Sequence, residues 1–108
     1  MFIAISTYLK PLEEVDALYS AHFAWMTPYY ASGAFLGSGP RVPRTGGVIV
    51  ARAESLEAFQ ALLAQDPFVQ HGIAHYEIVE FTPGPPPRRS AELDAFLNRP
   101  ILTNQAAS

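Results

Sequence analysis

The sequence predicts an α+β fold with four strands and two main helices in the order β-α-β-β-α-β. Four short segments are rich in β-branched and aromatic residues, as strands are. Two longer segments repeat apolar residues every three or four positions, as one face of a helix does. Glycine and proline mark the boundaries between the segments. This order is the split βαβ, or ferredoxin-like, arrangement, in which a four-stranded antiparallel sheet carries both helices on one face.

Length and composition limit the classes of function. A chain of 108 residues supports one hydrophobic core, and a net charge of -3 without a dense basic run argues against nucleic-acid binding. No segment resembles a spanning helix, and the N-terminal segment lacks the basic leader of a signal peptide. We therefore expect a cytoplasmic protein without membrane contact. The lack of cysteine excludes disulfides, thiolate metal sites and cysteine nucleophiles.

The first half of the sequence supplies three strands and the longer helix. Phe2 to Leu9 predicts the first strand, and a helix is expected from Pro11 to about Ser32. Gly33 closes this helix, because glycine adopts the left-handed conformation that ends many helices. Ala34 to Gly39 predicts the second strand and Val48 to Ala51 the third, so these two strands are expected to form a hairpin.

The second half adds one helix and one strand to this sheet. Ser55 is a favourable N-cap, and the helix that follows is expected to end at Asp66. Pro67 causes this end, because proline forces the preceding residue out of the helical region. Phe68 to Gly72 is expected to be a short connector, and Ala74 to Phe81 predicts the last strand.

A domain boundary is expected at residue 82. Residues 1–82 would form the ferredoxin-like domain, and residues 83–108 a proline-rich spacer with a short C-terminal helix. Ser90 is the predicted cap of this helix and Pro100 its end. The helix is expected to pack on its own subunit or on a partner subunit, and the alternative is a docking motif for another protein. Gln105 to Ser108 is expected to be frayed.

The predicted sheet has more apolar surface than one layer of helices can cover. Seven residues are predicted to lie on the face away from the helices: Ile3, Ile5, Phe35, Val48, Val50, Tyr76 and Ile78. A second sheet would cover this face, so we expect a homodimer with the two sheets face to face.

Two polar residues interrupt the apolar stripes of the predicted helices. The first stripe comprises Leu12, Val15, Leu18, Tyr19, His22, Met26 and Tyr29, and the second comprises Leu56, Phe59, Leu62, Leu63 and Asp66. His22 and Asp66 should therefore both point into the interior over the same sheet. Because a buried carboxylate needs a compensating partner, we expect these two side chains to interact.

Each of the two residues has a functional and a structural interpretation. In the functional one, a neutral His22 imidazole takes up a proton and Asp66 orients the ring, as in general acid/base catalysis. In the structural one, His22 is a core histidine with satisfied hydrogen bonds. Asp66 then bonds nearby amides, as an aspartate before proline commonly does.

Three stretches on these elements resemble the YciI-like (YCII-related) family: Ser20 to Phe23, Ser38 to Pro40, and Leu63 to Val69 with Gly72. The resemblance spans residues 1–82. It implies a dimeric α/β barrel of ferredoxin-like subunits, with an active site built on His22 and Asp66. Family members with a known role include a dehydrochlorinase of chlorinated hydroxyhydroquinones. The fold is shared with muconolactone isomerases and cofactor-free monooxygenases.

Four further residues are predicted to bind substrate. Ser38 and Gly39 lie where small neighbours let a ligand approach the backbone, although a turn at the strand end is the simpler interpretation. Trp25 and Tyr29 are candidates for an aromatic pocket, although aromatic residues at helical spacing usually belong to a core.

No metal or cofactor is expected. His71 and His75 have the four-residue spacing of a helical metal site, but Gly72 and the strand after it remove the helix that the spacing requires. No glycine-rich phosphate motif is present, which argues against a nucleotide cofactor.

These observations favour a cofactor-independent enzyme in which His22 and Asp66 move a proton on a small cyclic or aromatic compound. Lyase, dehydrochlorinase and isomerase chemistry all fit such a pair. Two alternatives stay open. One is a non-catalytic homodimer that binds a small molecule, and the other is a purely structural role for both residues.

Overall fold

The computed structural model describes residues 1–102. Its strands are β1 Phe2–Tyr8, β2 Phe35–Pro40, β3 Gly47–Ala51 and β4 Ala74–Glu80. Its helices are α1 Leu12–Ala17, α2 Tyr19–Ser32, α3 Leu56–Leu63, α4 Pro67–Gln70 and α5 Ala91–Asn98. The strands form one sheet in the order β2-β3-β1-β4, and every neighbouring pair is antiparallel. The predicted α+β, ferredoxin-like fold is confirmed.

One face of the sheet carries the hydrophobic core. Phe2 and Ala4 of β1 are buried and lie opposite Ala51 and Ile49 of β3. The ring of Phe2 stacks on the ring of Phe59 from α3, with centroids 4.9 Å apart. Strand side chains alternate between the two faces of a sheet, and residues opposite each other share a face. The pairing with β1 therefore assigns each residue of β3 and β4 to a face.

Seven residues were predicted to lie on the sheet face away from the helices, and for three of them the prediction was wrong. Phe35 lies opposite Ala51 and is buried among the helices. Tyr76 and Ile78 also lie on the helix side, because they oppose inward-facing residues of β1. The alternation of β4 accounts for the error, since its more polar set, His75, Glu77 and Val79, takes the outer face.

The predicted helix from Pro11 to Ser32 is divided in two at Leu18, whose φ of -106° and ψ of 4° leave the α-helical range. Its amide bonds the carbonyl of Val15, three residues back, which tightens the last turn of α1. At the other end the prediction is confirmed. Gly33 has a φ of 87°, and the amides of Gly33 and Ala34 bond the last carbonyls of α2.

The second predicted helix ends at Leu63, three residues before the expected stop at Asp66. The amides of Gln65 and Asp66 bond carbonyls three residues back, so the chain tightens and leaves the helix. Asp66 instead caps a short helix, α4, whose first residue is Pro67. Proline suits this position because its missing N–H would have no partner there. The predicted connector therefore contains a helical turn.

The β2–β3 hairpin, which the sequence predicts, is pressed against β1. Gly46 is buried, and a methyl group there would overlap the carbonyl of Ser6. Ser6 Oγ accepts a hydrogen bond from the Gly47 amide at 2.8 Å. The Tyr8 amide bonds the carbonyl of Thr45 at 2.8 Å. These contacts fix the hairpin beside the end of β1.

The C-terminal helix packs on the rest of its own chain. Its Phe96 is 1% exposed and lies under the guanidinium of Arg52, 4.6 Å from the ring centroid. Arg52 also donates to the carbonyls of Gly33 at 3.0 Å and Leu97 at 3.2 Å. Ser90 caps α5 through the amide of Leu93, as predicted. The expected fraying of residues 105–108 lies outside the described residues.

Candidate functional site

Asp66 is held in place by the backbone between α3 and α4. As the N-cap of α4 it has an extended backbone, and its Oδ1 accepts a hydrogen bond from the Phe68 amide at 3.0 Å. The side chain is 0% exposed. The local role that aspartate before proline commonly plays is therefore present, and it fixes where the carboxylate points.

Two side chains complete the surroundings of this carboxylate. His22 Nδ1 lies 2.8 Å from Asp66 Oδ1, and the Tyr76 hydroxyl donates to Oδ2 at 2.6 Å. With the Phe68 amide, three groups from α2, α4 and β4 meet one buried carboxyl. A carboxylate only accepts hydrogen bonds, so in its ionised form Asp66 can accept from the Phe68 amide, the Tyr76 hydroxyl and His22 Nδ1 at the same time.

When Asp66 is ionised, it determines which nitrogen of a neutral His22 ring carries the proton. Nδ1 must donate to an acceptor-only oxygen, so in the neutral imidazole the lone pair lies on Nε2. Within residues 1–102, Nε2 has no hydrogen-bond partner. It is therefore the ring nitrogen available to a bound molecule.

The surroundings of Tyr76 favour its protonated form, in which the hydroxyl can donate. Burial raises the pKa of Tyr76 above the usual 10.0, and the neighbouring Asp66 carboxylate raises it further. A tyrosinate beside a carboxylate would place two negative charges together away from water. The hydroxyl consequently keeps its proton and its bond to Oδ2.

The His22 ring is fixed by packing as well as by hydrogen bonding. It stacks on Phe68 with centroids 4.1 Å apart and planes 8° from parallel. Tyr19, one helical turn earlier, meets its edge with centroids 6.0 Å apart. The side chain is still 13% exposed. His22 is therefore a rigid group that keeps access to solvent.

A cavity of about 190 Å³ opens beside this ring, between α2 and the sheet. Its wall comprises Ser6, Tyr8, Tyr19, His22, Phe23, Met26, Ser38, Gly39, Pro40, Gly47, Val48, Ile49 and Tyr76. No lysine, arginine, aspartate or glutamate of the described chain belongs to this wall. The cavity is thus lined by apolar side chains together with several hydroxyl groups and one imidazole.

The structure brings some of the predicted substrate-binding residues to this cavity and not others. Ser38 and Gly39 line it, and Ser38 Oγ shares a hydrogen bond of 2.6 Å with the Tyr30 hydroxyl. Trp25 and Tyr29 lie outside the wall. Their rings pack on each other and on Phe35 of the core.

Tyr76 and Phe68 belong to the site but were not singled out from the sequence. The signal for Tyr76 was present, because the alternation of β4 places it on the less polar face of the strand, toward the helices. Phe68 had no comparable signal. Its position depends on the short helix that begins at Pro67. A helix of only four residues is too short to show a periodic pattern in the sequence.

Neither a membrane span nor a cluster of metal ligands is found in the described part of the chain. No helix there is long and apolar enough to cross a bilayer. No group of three or more His, Cys, Asp or Glu side chains within residues 1–102 is arranged to hold a metal ion.

Solved structures resemble this fold. The 5-chloro-2-hydroxyhydroquinone dehydrochlorinase of Burkholderia phenoliruptrix AC1100, in complex with 2,5-dihydroxybenzoquinone, superposes with a TM-score of 0.65. It is 23% identical, over 78% of this chain and 96% of that one. A mutant of SnoaB, a cofactor-independent oxygenase from Streptomyces nogalater, gives a TM-score of 0.40 at 17% identity, over 79% and 94% of the two chains.

The sequence comparisons concern the family. No curated protein is similar enough in sequence to count as a relative. The profile of the YCII-related domain, however, matches residues 1–82. This match covers every strand of the sheet and both residues of the His22–Asp66 pair, which confirms the resemblance seen in the sequence. The chain therefore belongs to the YCII-related domain family.

Proposed function

We propose that this chain is a small-molecule enzyme in which Nε2 of His22 takes a proton from a bound substrate and returns it. One observation carries the proposal. A fully buried carboxylate lies 2.8 Å from Nδ1 of a histidine that lines a cavity, which leaves Nε2 as the nitrogen available to a ligand. This is the arrangement of a general base with an orienting group.

The proposed reaction begins with neutral His22. Nε2 accepts a proton from an O–H or an acidic C–H of the substrate, and the resulting imidazolium is stabilised by Asp66 through Nδ1. Returning the proton to another atom completes an isomerisation. Passing it to a departing group, or to water as chloride leaves, completes a lyase or dehydrochlorinase reaction. Proton transfer of this kind contributes roughly 10²- to 10⁴-fold, so positioning in the cavity must supply the rest. The reaction requires no cofactor.

The cavity indicates the size and charge of the substrate. A volume of about 190 Å³ suits one substituted six-membered ring, since an apolar cavity of roughly 150 Å³ is enough for benzene. The uncharged wall favours a ligand without a carboxylate, and its hydroxyl groups suit phenolic or carbonyl oxygens. The dehydrochlorinase of similar fold is named for a chlorinated hydroxyhydroquinone, which belongs to this class.

A non-catalytic small-molecule-binding protein is the second candidate. The observation in its favour is that Asp66 caps α4 and His22 stacks on Phe68, so both residues also have structural roles. In that case the same cavity would bind the same class of ring without converting it.

The test is turnover of single-ring compounds in D₂O. Hydroxyhydroquinones, their chlorinated forms and hydroxyquinones would be incubated with the protein, and NMR would follow deuterium incorporation and product formation. Chloride release would be measured in parallel. We expect turnover by the wild type, a loss of at least 10²-fold in His22→Gln, and no loss in His71→Gln. His71 is a matched control because it is exposed and lies outside the cavity wall.

The outcome separates the two candidates. Binding of these rings without deuterium incorporation or product would favour the binding protein. Equal turnover in wild type and His22→Gln would show that His22 is not the base.

We also propose that the protein is a homodimer through the outer face of the sheet. Ile3 and Val50 face each other across β1 and β3 on that face, and Val79 of β4 continues it with 48% exposure. An apolar sheet face of this kind usually packs against another layer. A second copy of the chain would supply it.

A further inference from the structure

Tyr76 connects the edge strand β4 to the Asp66 carboxylate. Its hydroxyl donates to Oδ2 at 2.6 Å, a short distance typical of a hydrogen bond to a charged oxygen. The strand ladder fixes its backbone, because Tyr76 lies opposite Ser6 in the register of β1 and β4. Its side chain is therefore aimed at Asp66 by the sheet.

The two oxygens of Asp66 are held by different groups. Oδ1 is bonded by the Phe68 amide and by His22 Nδ1. Oδ2 is bonded by Tyr76, and within residues 1–102 it has no other donor. A carboxylate can rotate about its Cβ–Cγ bond, so a contact at one oxygen leaves its plane free. The contact at Oδ2 fixes this plane, and with it the direction of the lone pair that meets Nδ1.

We propose that Tyr76 is a positioning residue, which holds Asp66 so that His22 keeps its proton on Nδ1 and its lone pair on Nε2. The hydroxyl donates to Oδ2 and so holds the carboxylate in the orientation in which Oδ1 meets Nδ1 of His22. Tyr76 also lines the cavity, but its proton is committed to Oδ2. It therefore acts through Asp66 and His22 and does not donate to the substrate.

The consequence for turnover rests on the proposed function, whereas the consequence for the histidine does not. The neutral tautomer of His22 can be read by long-range ¹H–¹⁵N NMR without any substrate. In the wild type we expect the Nδ1–H form to predominate. In Tyr76→Phe, which keeps the ring and removes the hydroxyl, we expect the Nε2–H form to increase severalfold. We also expect kcat to fall about tenfold, with KM little changed.

Two variants separate positioning from mere stability. Ile78→Val shortens a neighbouring side chain on the same face of β4, which has no polar contact and lies outside the cavity wall. It should lower stability while leaving the tautomer and kcat of the folded protein unchanged. Replacement of Tyr76 by 3-fluorotyrosine keeps the hydroxyl and should retain the wild-type tautomer.

A double variant tests the route through Asp66. In an Asp66→Ala background, Tyr76→Phe should change the tautomer no further, because no side chain then connects Tyr76 to His22. The proposal is overturned if Tyr76→Phe leaves the tautomer unchanged, or if 3-fluorotyrosine shifts it as Phe does. If the tautomer shifts as expected but the wild type turns over no substrate, the positioning role stands and the proposed enzyme function fails.

Discussion

Asp66 forms hydrogen bonds with three groups while it is fully buried, so the cost of replacing it depends on which partner remains for each group. Asp66→Ala leaves all three without a partner. We expect it to lower the free energy of unfolding by about 3–5 kcal/mol. Asp66→Asn keeps one side-chain oxygen, which can still accept from the Phe68 amide. Its amide nitrogen can donate to the Tyr76 oxygen. We expect it to cost about 1–2 kcal/mol.

Urea unfolding of both variants measures this difference. Asp16→Ala is the matched control, because Asp16 is exposed and paired with Arg44 at the surface, where ion pairs contribute little. If Asp66→Ala were as mild as Asp16→Ala, the carboxylate would not be the centre of the network.

Tyr76 makes stability depend on pH in the alkaline range. Burial and the Asp66 carboxylate raise the pKa of Tyr76 in the folded state, whereas in the unfolded chain its pKa is near 10.0. Above about pH 10 the unfolded chain therefore releases this proton first. The stabilisation is complete below that pH and is lost as pH rises toward the folded pKa.

Comparing wild type with Tyr76→Phe isolates this effect. Urea unfolding between about pH 8 and pH 11 should show that the free energy of unfolding falls more steeply with pH in the wild type. The difference in slope corresponds to the release of up to one proton on unfolding. Burial also raises the pKa of Tyr8, but this contribution is common to both proteins. Parallel pH curves would mean that Tyr76 is not held protonated by its surroundings.

At the scale of elements, the sequence predicts those features that depend on local periodicity and on residues that begin or end an element. The four strands, the Gly33 helix end and the Ser90 cap all follow from short-range rules, and each is present. The break at Leu18 and the helical turn after Asp66 do not follow from such rules, because they depend on how the chain tightens over the sheet. The pairing of His22 with Asp66 was predictable because both interrupt apolar stripes. The third partner, Tyr76, required the correct face of β4.

The β2–β3 hairpin depends on the absence of a side chain at residue 46. Gly46→Ala would force a methyl group onto the Ser6 carbonyl, so β1 and the hairpin would have to separate. We expect the free energy of unfolding to fall by about 1–3 kcal/mol, as at other overpacked sites, and the hydrogen-exchange protection of β1 and β3 to decrease. Gly37→Ala is the control, because a methyl group there meets no atom within 4 Å. Similar losses in both variants would show that strand propensity, rather than close approach, is responsible.

Arg52 links the C-terminal helix to the rest of the fold. It contacts the carbonyl ends of both α2 and α5, where a cation is favourable, and it covers Phe96. Burial lowers the pKa of Arg52, and the nearby Arg99 lowers it further, because both disfavour the charged guanidinium. The hydrogen bonds to the two carbonyls offset this cost. We propose that residues 1–82 are the functional domain and that Arg52 holds the remainder against it.

Arg52→Met tests this link, since it keeps the length of the side chain and removes the donors. We expect α5 to detach, with rapid proteolysis between residues 82 and 102 and a core that stays folded. Arg88→Met is the control, because Arg88 is exposed in the spacer. Global unfolding of Arg52→Met would contradict the proposed division at residue 82.

At the scale of the whole molecule, the proposed dimer covers the outer face of the sheet. Val50 lies on the inner strand β3 and opposes Ile3, so it is near the centre of this face. In a face-to-face dimer the two sheets lie about 10 Å apart, which leaves no room to hydrate a charged group. Val50→Lys should therefore dissociate the dimer while leaving each subunit folded.

Light scattering coupled to size exclusion measures the outcome. We expect the mass of two chains for the wild type and of one chain for Val50→Lys. Val42→Lys should stay dimeric, because Val42 is 98% exposed in the loop between β2 and β3 and does not belong to the sheet. A monomeric wild type would overturn the dimer. A Val50→Lys variant that remains dimeric would move the interface to another surface, because a buried lysine opposite its own copy would cost more than the apolar contact provides.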